Sequence, residues 1–411
     1  MTSITRPDCV RRDDEDPLAA FRQEFLLPEG VIYLDGNSLG ALPAAAPGRI
    51  ARTVEHEWGE RLIASWNDAG WWDKPRTLGA KLAPLVGAAP QEVVVGDGTS
   101  ANLFKVLVAA LRLNPERHVV LGEKGNFSTD LYITEGVAEI MGAVERRVEV
   151  DNRAALAGAL AAGDVAVLLL SHVDYRTGAL RDMAGITRLA HANGALVVWD
   201  LCHSVGALPI ELADRGVDFA VGCTYKYLNA GPGAPAFVFA AQRHHAAARQ
   251  PLTGWHGHAR PFDFSSGYAP AEGASRFLSG SQPVVAAAAL EASLDLWQRV
   301  DLRLLREKSV ALTELFIELT RAAGLDLLTP RAADRRGSQV ALRHPGGYAI
   351  VQALIARGVV GDFRAPDVLR FGFAPLYLGY ADVFDAAAAL VDVVGSGQWR
   401  DPRFAAAKAV T

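Results

Sequence analysis

Three short segments carry the residue types that organic-cofactor chemistry needs. The first, Gly96-Asp97-Gly98-Thr99-Ser100-Ala101-Asn102, is a glycine turn running into hydroxyls at the start of a helical pattern. Backbone N–H groups and hydroxyls at a helix N-terminus suit a phosphate, and the helix dipole adds to the attraction. Taken alone, Thr99 or Ser100 reads as an N-cap. Neither a P-loop pattern nor a GxGxxG pattern occurs, so nucleotide fingerprints do not account for the turn. The second segment, Val198-Trp199-Asp200-Leu201-Cys202-His203-Ser204, places an acid at the end of an apolar run with a histidine three residues on. A carboxylate buried there needs a partner, and a protonated pyridine-type nitrogen is one. Cys202 and His203 lack a CxxC or HxxxH companion, so no metal is expected. The third segment, Cys223-Thr224-Tyr225-Lys226-Tyr227-Leu228-Asn229-Ala230-Gly231-Pro232-Gly233, sets a lysine just past a strand between two tyrosines. Desolvation lowers the pKa of such a lysine and frees its amine for an imine with a carbonyl cofactor. An isolated lysine would more simply be a surface residue.

The combination is more telling than its parts. A phosphate cradle, an acid and a lysine at the strand ends of one sheet form the layout that holds pyridoxal 5′-phosphate. The loop takes the phosphate, Asp200 the ring nitrogen and Lys226 the aldehyde. Asn126-Phe127-Ser128-Thr129-Asp130, after another strand, adds an aromatic that stacks on the ring, the plainer reading of Phe127 being core packing.

Those positions require a sheet. Glu92-Val93-Val94-Val95-Gly96, His118 to Leu121, Val165 to Leu170, Ala195 to Trp199, Phe219 to Gly222 and Ala236 to Ala240 are short, continuous apolar runs, the pattern of parallel strands covered on both faces. A helical stretch over 181–193 reads as a βαβ crossover. The apolar spacing of Ile50, Val54, Trp58, Leu62 and Ile63 predicts a helix over 46–66, followed by the aromatic patch Trp66, Trp71 and Trp72. The sheet pattern stops near residue 285, where Val284 to Val300 begins a long helix. The expected organisation is an arm over 1–45, a large α/β domain over 46–285 and a smaller C-terminal α+β domain over 286–411.

Composition bounds the class. At 411 residues the chain exceeds one domain of about 150. Its net charge of −5 argues against a surface built for nucleic acid or anionic lipid. Three scattered cysteines write no disulfide framework and point to a reducing, cytoplasmic setting. The opening residues have no apolar signal region, and no run approaches a membrane span.

The segments Tyr33-Leu34-Asp35-Gly36-Asn37-Ser38-Leu39-Gly40, Ser171-His172-Val173-Asp174-Tyr175-Arg176-Thr177-Gly178, Asp200 to Gly206, Cys223 to Gly233 and Gly254-Trp255-His256-Gly257-His258 resemble, in the same order, motifs of the fold-type-I pyridoxal-phosphate enzymes and, more narrowly, of the kynureninases. The Asp-Gly-Asn-Ser-Leu-Gly arm and the Gly-Trp-His-Gly-His loop are the specific part. The resemblance covers about residues 30–380 and implies a mostly parallel seven-stranded sheet. It implies that Thr99, Ser100 and the Phe127, Ser128, Thr129, Asp130 turn contact the cofactor, with Tyr225 on the phosphate. Ser171, Asp200 and His203 would surround the pyridine ring, and Lys226 would be the Schiff-base lysine. Trp255 and Ser281 match positions that reach the phosphate from a partner subunit, which implies a homodimer with shared sites. Arg370 resembles the arginine that clamps the substrate α-carboxylate, a task that suits its planar fork.

The activity so implied is hydrolysis of L-kynurenine to anthranilate and L-alanine, a step of tryptophan catabolism and of routes to NAD, with Lys226, Tyr225 and Asp200 as the catalytic set and Tyr225 moving a proton at the γ-carbonyl. Animal members that prefer 3-hydroxykynurenine carry a histidine and an asparagine where Trp66 and Ser281 align here. That departure favours the unsubstituted substrate, although Trp71 and Trp72 compete with Trp66 for the place. An aminotransferase or a cysteine desulfurase-like lyase is the nearest alternative, and a desulfurase needs a mobile nucleophilic cysteine that Cys9, Cys202 and Cys223 do not offer. A non-catalytic pyridoxal-binding regulatory module would have no use for Lys226, Asp200 and Arg370 together.

Overall fold

Continuous aliphatic runs must be covered on both faces, and the computed structural model, which describes residues 4–406, shows how. Seven strands, β1 (Val93–Val95), β2 (Val119–Glu123), β3 (Val144–Val148), β4 (Val165–Ser171), β5 (Leu196–Asp200), β6 (Phe219–Gly222) and β7 (Phe237–Ala240), lie in the order β1-β7-β6-β5-β4-β2-β3. Neighbours from β3 to β6 pair in parallel, while β7 runs antiparallel to both β1 and β6. The carboxyl ends of β1, β2, β4, β5 and β6 therefore share one edge, where such sheets place ligands. The crossover helix Met183–Ala192 joins β4 to β5, inside the expected stretch.

Two elements differ from the sequence expectation. Strand β3 escaped it because Val144-Glu145-Arg146-Arg147-Val148 is a charged edge strand with a single neighbour, the usual guard against stray pairing. Residues 46–66 are not one helix. An α-helix over Ala46–Arg52 widens into a π-helical stretch over Thr53–Glu60, and Leu62 takes a left-handed φ of 50°. The apolar spacing misled because Trp58, Leu62 and Ile63 are 59%, 61% and 80% exposed, so this chain buries no helical stripe there.

At the opposite edge of the sheet, Asp218 clasps four neighbours. It accepts hydrogen bonds from the Val197 N–H at 2.8 Å and Arg243 at 2.6 Å, and pairs with His191 and His244 at 2.7 Å each. Burial opposes its charge, yet the histidine and backbone hydrogen bonds outweigh it and hold the carboxyl well below the usual range. The folded state thus binds this proton more weakly than the unfolded one. The stabilisation is full above the unfolded carboxyl value, about 3.9, and is lost as pH falls through the lower folded value. Asp218→Asn is expected to destabilise by about 3 kcal/mol at pH 7. Urea unfolding should show this gap narrowing toward pH 3, and an unchanged gap would contradict the charge argument.

The C-terminal part builds its own sheet from β8 (Asp326–Leu327), β9 (Gln339–Arg343), β10 (Asp362–Arg364) and β11 (Val368–Gly372), in the antiparallel order β8-β9-β11-β10. The N-terminal segment closes onto it. Ile32–Tyr33 pairs in parallel with Val359–Val360, Asp35 bridges Gly372, and Arg6 holds Asp385 at 2.8 Å. Helix Val284–Trp297 ties back to the large sheet's helices through Glu291, which meets Arg49 at 2.7 Å and Lys74 at 2.8 Å. Cys9, Cys202 and Cys223 are buried and unbridged. Among the described residues, no helix is long and apolar enough to cross a membrane.

Candidate active site

Helix Thr99–Leu113 starts immediately past β1. Gly98 occupies its cap position with no side-chain hydrogen bond, so Thr99 and Ser100 sit in the first turn and are not caps. The first-turn N–H groups therefore remain open to an anion. Buried Lys105 steadies this turn from behind, donating to the Asp97 carboxylate at 2.5 Å and to the Phe277 carbonyl at 2.6 Å.

Register brings the next residues together. Ser171 ends β4 and stands opposite Asp200, which ends β5. Asp200 Oδ1 accepts the Cys202 N–H at 2.6 Å, which fixes the turn leading to His203. Asp130, from the turn beyond β2, is buried against Asp200. Burial and the neighbouring Asp200 carboxylate push the Asp130 carboxyl well up, so it stands beside Asp200 as a neutral acid. Asn126 links the rest. Its amide donates to Asp130 at 3.0 Å, while its oxygen accepts from Ser171 at 2.7 Å and from the Phe127 N–H at 2.8 Å. Phe127 is 41% exposed, so it is not core, and its ring meets Tyr175 edge-on at 5.3 Å. Ser128 and Thr129 open the helix Ser128–Met141 and, like Thr99 and Ser100, leave it without a side-chain cap.

Lys226 lies past the end of β6, its Nζ 2.9 Å from His203 Nε2 and 5.9 Å from the ring centres of both Phe127 and Tyr225. Burial first, then the Lys226 cation, holds the His203 imidazole far below its ordinary value, and His203 Nδ1 has no partner. Burial also raises the Tyr225 hydroxyl, so it stays protonated. The arm packs directly on this segment. The Gly40 N–H donates to the Tyr225 carbonyl at 2.8 Å, and a Cβ on Gly40 would lie 2.2 Å from the Lys226 carbonyl oxygen, so only glycine fits.

Arg370 on β11 is 1% exposed and forks onto Asp362, with Nε at 2.7 Å. Its other nitrogens reach the Tyr175 carbonyl at 2.5 Å and Ser38 Oγ at 3.1 Å. It is thus a buried, paired residue at the edge of the Lys226 cluster and not a surface ion pair. Asn126, Tyr175, Ser38, Asp362 and Arg364 were not singled out from sequence. Asn126, Tyr175 and Ser38 do fall inside the quoted motifs, which was the available signal.

Trp66 and Trp255 belong to a second, aromatic group, and Ser281 is an exposed residue with no hydrogen bond to it among the described residues. Trp66 meets Trp255 edge-on at 5.4 Å, and Trp72 lies 5.1 Å from Trp255 while stacking on His256 at 4.3 Å. Trp71 instead donates its indole N–H to Glu57 at 2.9 Å. Among the described residues, no hydrogen bond or ring contact joins this patch to Lys226. The segment 254–282 leads from this patch to the glycine turn. Gly254 packs on the Ser279 backbone, and Gln282, next to exposed Ser281, packs on Gly96.

This geometry fits pyridoxal phosphate. An uncapped helix N-terminus suits a phosphate, a buried carboxylate suits a ring nitrogen, and a lysine hydrogen-bonded to a buried histidine lies beside an exposed aromatic. Residues 305–390 match the family model described as Kynureninase C-terminal domain. The chain is 50% identical over 416 residues to the kynureninase of Burkholderia mallei, covering 99% of this chain and 100% of that one. It is 49% identical over 415 residues to the kynureninase of Pseudomonas fluorescens, with the same coverage. Among solved structures, the apo cysteine desulfurase of Thermococcus onnurineus shares the fold with a TM-score of 0.78 at 17% identity, covering 96% of this chain and 100% of that one. The cystine C–S lyase C-DES, solved with its product cysteine persulfide, gives 0.76 at 20% identity, covering 89% and 98%.

Proposed function

The chain belongs to the kynureninase family, and from that membership we propose that it hydrolyses L-kynurenine to anthranilate and L-alanine with pyridoxal 5′-phosphate as cofactor. The observation that carries this reading is 50% identity across 99% of the chain, and the cluster around Lys226 agrees with it. The desulfurase-like alternative loses ground because all three cysteines are buried.

When bound, the cofactor supplies an electron sink for the substrate's α-carbon. Thr99, Ser100, Ser128, Thr129 and the adjoining N–H groups would hold its phosphate together with Tyr225. Asp200, flanked by Asp130, Ser171 and His203, would keep its ring nitrogen protonated, and Phe127 would cover its face. Lys226 takes the substrate's α-proton and returns it during turnover. Water adds at the γ-carbonyl and the Cβ–Cγ bond breaks. The neutral Tyr225 hydroxyl moves the proton at that carbonyl oxygen. Arg370 contributes a cation to the binding of the α-carboxylate.

The finer reading is a cytoplasmic homodimer in which Trp255 and Ser281 serve the partner's site and Trp66 lies near the substrate ring. Exposed Trp58, Leu62 and Ile63 support a covered surface there, and the Trp66–Trp255 contact supports Trp66 or Trp72 over Trp71 as the ring neighbour. Purified holoenzyme is tested with L-kynurenine and, separately, 3-hydroxykynurenine. The expected result is anthranilate and alanine in equal amounts, with the higher kcat/KM for L-kynurenine. Tyr225→Phe should lower kcat about 100-fold with bound cofactor retained. Cofactor binding without cleavage of either substrate would return the chain to the wider superfamily.

A further inference from the structure

The residues around Arg370 hold one more guanidinium than their carboxylate needs. On β10, Asp362 stands directly opposite Arg370 of β11, and Arg364 follows two residues later. Directly opposed residues share a face, as do alternate residues of a strand, so Asp362, Arg364 and Arg370 project to one side. Arg370 Nε reaches Asp362 Oδ1 at 2.7 Å and Arg364 reaches Asp362 Oδ2 at 2.8 Å. Ser38 Oγ donates to Asp362 Oδ2 at 2.7 Å and receives Arg370 at 3.1 Å and Arg364 at 3.4 Å. Asp35 does not balance the second cation in full. Burial, then the Asp362 charge, pushes its carboxyl up to about 7, and its Oδ1 is buried without a partner.

Arg370 is poorly placed to clamp a carboxylate alone. A guanidinium has five N–H donors. Arg370 already directs two to Asp362 and one each to Tyr175 and Ser38, and its side chain is 1% exposed. A bidentate grip needs two. The Arg364 side chain is 37% exposed, and its donors reach the Phe363 carbonyl, Ser38 and Asp362, which leaves two. Both arginines are electrostatic neighbours of His203, and Arg370 is tied to the cluster through Tyr175. After burial, the charges that disfavour a protonated His203 are Lys226, Arg370 and Arg364, in that order. Tyr175, which binds Arg370 through its carbonyl, touches Phe127 through its ring.

We propose that Arg364 is a second substrate-binding guanidinium, sharing the α-carboxylate with Arg370, and that Asp362 is the positioning residue that sets both forks on one face. The inference deepens the reading above and rests on it in one respect, that the site takes an α-amino acid. An incoming carboxylate would be met by the two donors left on Arg364 and the one left on Arg370.

The test titrates wild-type, Arg364→Met and Arg364→Lys holoenzymes with L-alanine and with ethylamine, the same amine without its carboxylate, following cofactor absorbance. Arg364→Met should weaken L-alanine about 10- to 100-fold, the loss of a charge-assisted pair, and leave ethylamine within about twofold. KM for L-kynurenine should rise in parallel while kcat changes by less than about threefold. Arg364→Lys, which keeps the charge but not the fork, should fall between. Arg364→Lys decides alone if Arg364→Met yields no holoenzyme. An unchanged preference for alanine over ethylamine, or equal weakening of both, overturns the proposal. A wild type that prefers alanine but does not cleave L-kynurenine refutes the reaction assigned above and leaves Arg364 to be judged by the same two ligands.

Discussion

Lys226→Ala is expected to lower kcat on L-kynurenine by about 1,000-fold or more, the scale of a positioned acid–base group, with bound cofactor showing the spectrum of a free aldehyde. The geometry explains the size of the loss. Lys226 Nζ lies 2.9 Å from His203 Nε2 and 5.9 Å from the Phe127 and Tyr225 ring centres, at the mouth of the cluster. Nothing beside it can take over. His203 is held neutral with a strongly lowered affinity for protons, which makes it a weak base, and Tyr225 is held protonated. The backbone should tolerate the change, since the arm contact at Gly40 uses the Lys226 carbonyl and not its side chain. Small added amines should restore part of the rate by entering the vacated space. Retention of more than about a tenth of wild-type kcat would remove Lys226 from proton transfer.

The second large effect is expected at Asp200. Asp200→Asn keeps an oxygen for the Cys202 N–H, so the turn that carries His203 is preserved. What disappears is the negative charge. A buried ionic partner is worth several kcal/mol when its counterpart is left unpaired, so kcat should fall about 100- to 1,000-fold and cofactor should be lost more readily on dialysis. Asp130 cannot replace it, because burial and its neighbour hold that carboxyl neutral in the wild type. Even with the Asp200 charge gone, Asp130 remains 2% exposed, and burial is the larger of the two causes that disfavour its charge. Full kcat in Asp200→Asn with tightly held cofactor would show that the ring nitrogen needs no carboxylate here.

Legibility in the sequence followed local chemistry. Asp200 and Lys226 could be read because each is a charged residue just beyond a run such as Leu196 to Trp199 or Phe219 to Gly222, where polarity changes abruptly. The glycine turn before Thr99 was readable for the same reason, although its cap proved to be Gly98. The charged edge strand β3 and the π-helical stretch after Arg52 were not, because neither obeys the period that apolar burial imposes. Three tryptophans within seven residues looked equivalent in the chain. Glu57 separates them by holding Trp71 and leaving Trp66 and Trp72 to meet Trp255.

The α/β class, the strand-end placement of Lys226 and Asp200, and the motif order that resembles one enzyme family all depend on neighbours along the chain and are therefore written in the sequence. That Asp362 faces Arg370, that Arg364 joins them, and that Ser38 of the arm contacts both guanidiniums is visible in the fold alone. Cross-strand register and the docking of an N-terminal segment on a C-terminal sheet bring together residues more than three hundred positions apart in the chain. No local propensity encodes such a meeting; it follows from the pairing of the N-terminal arm with the C-terminal strands and from the register of those strands with one another.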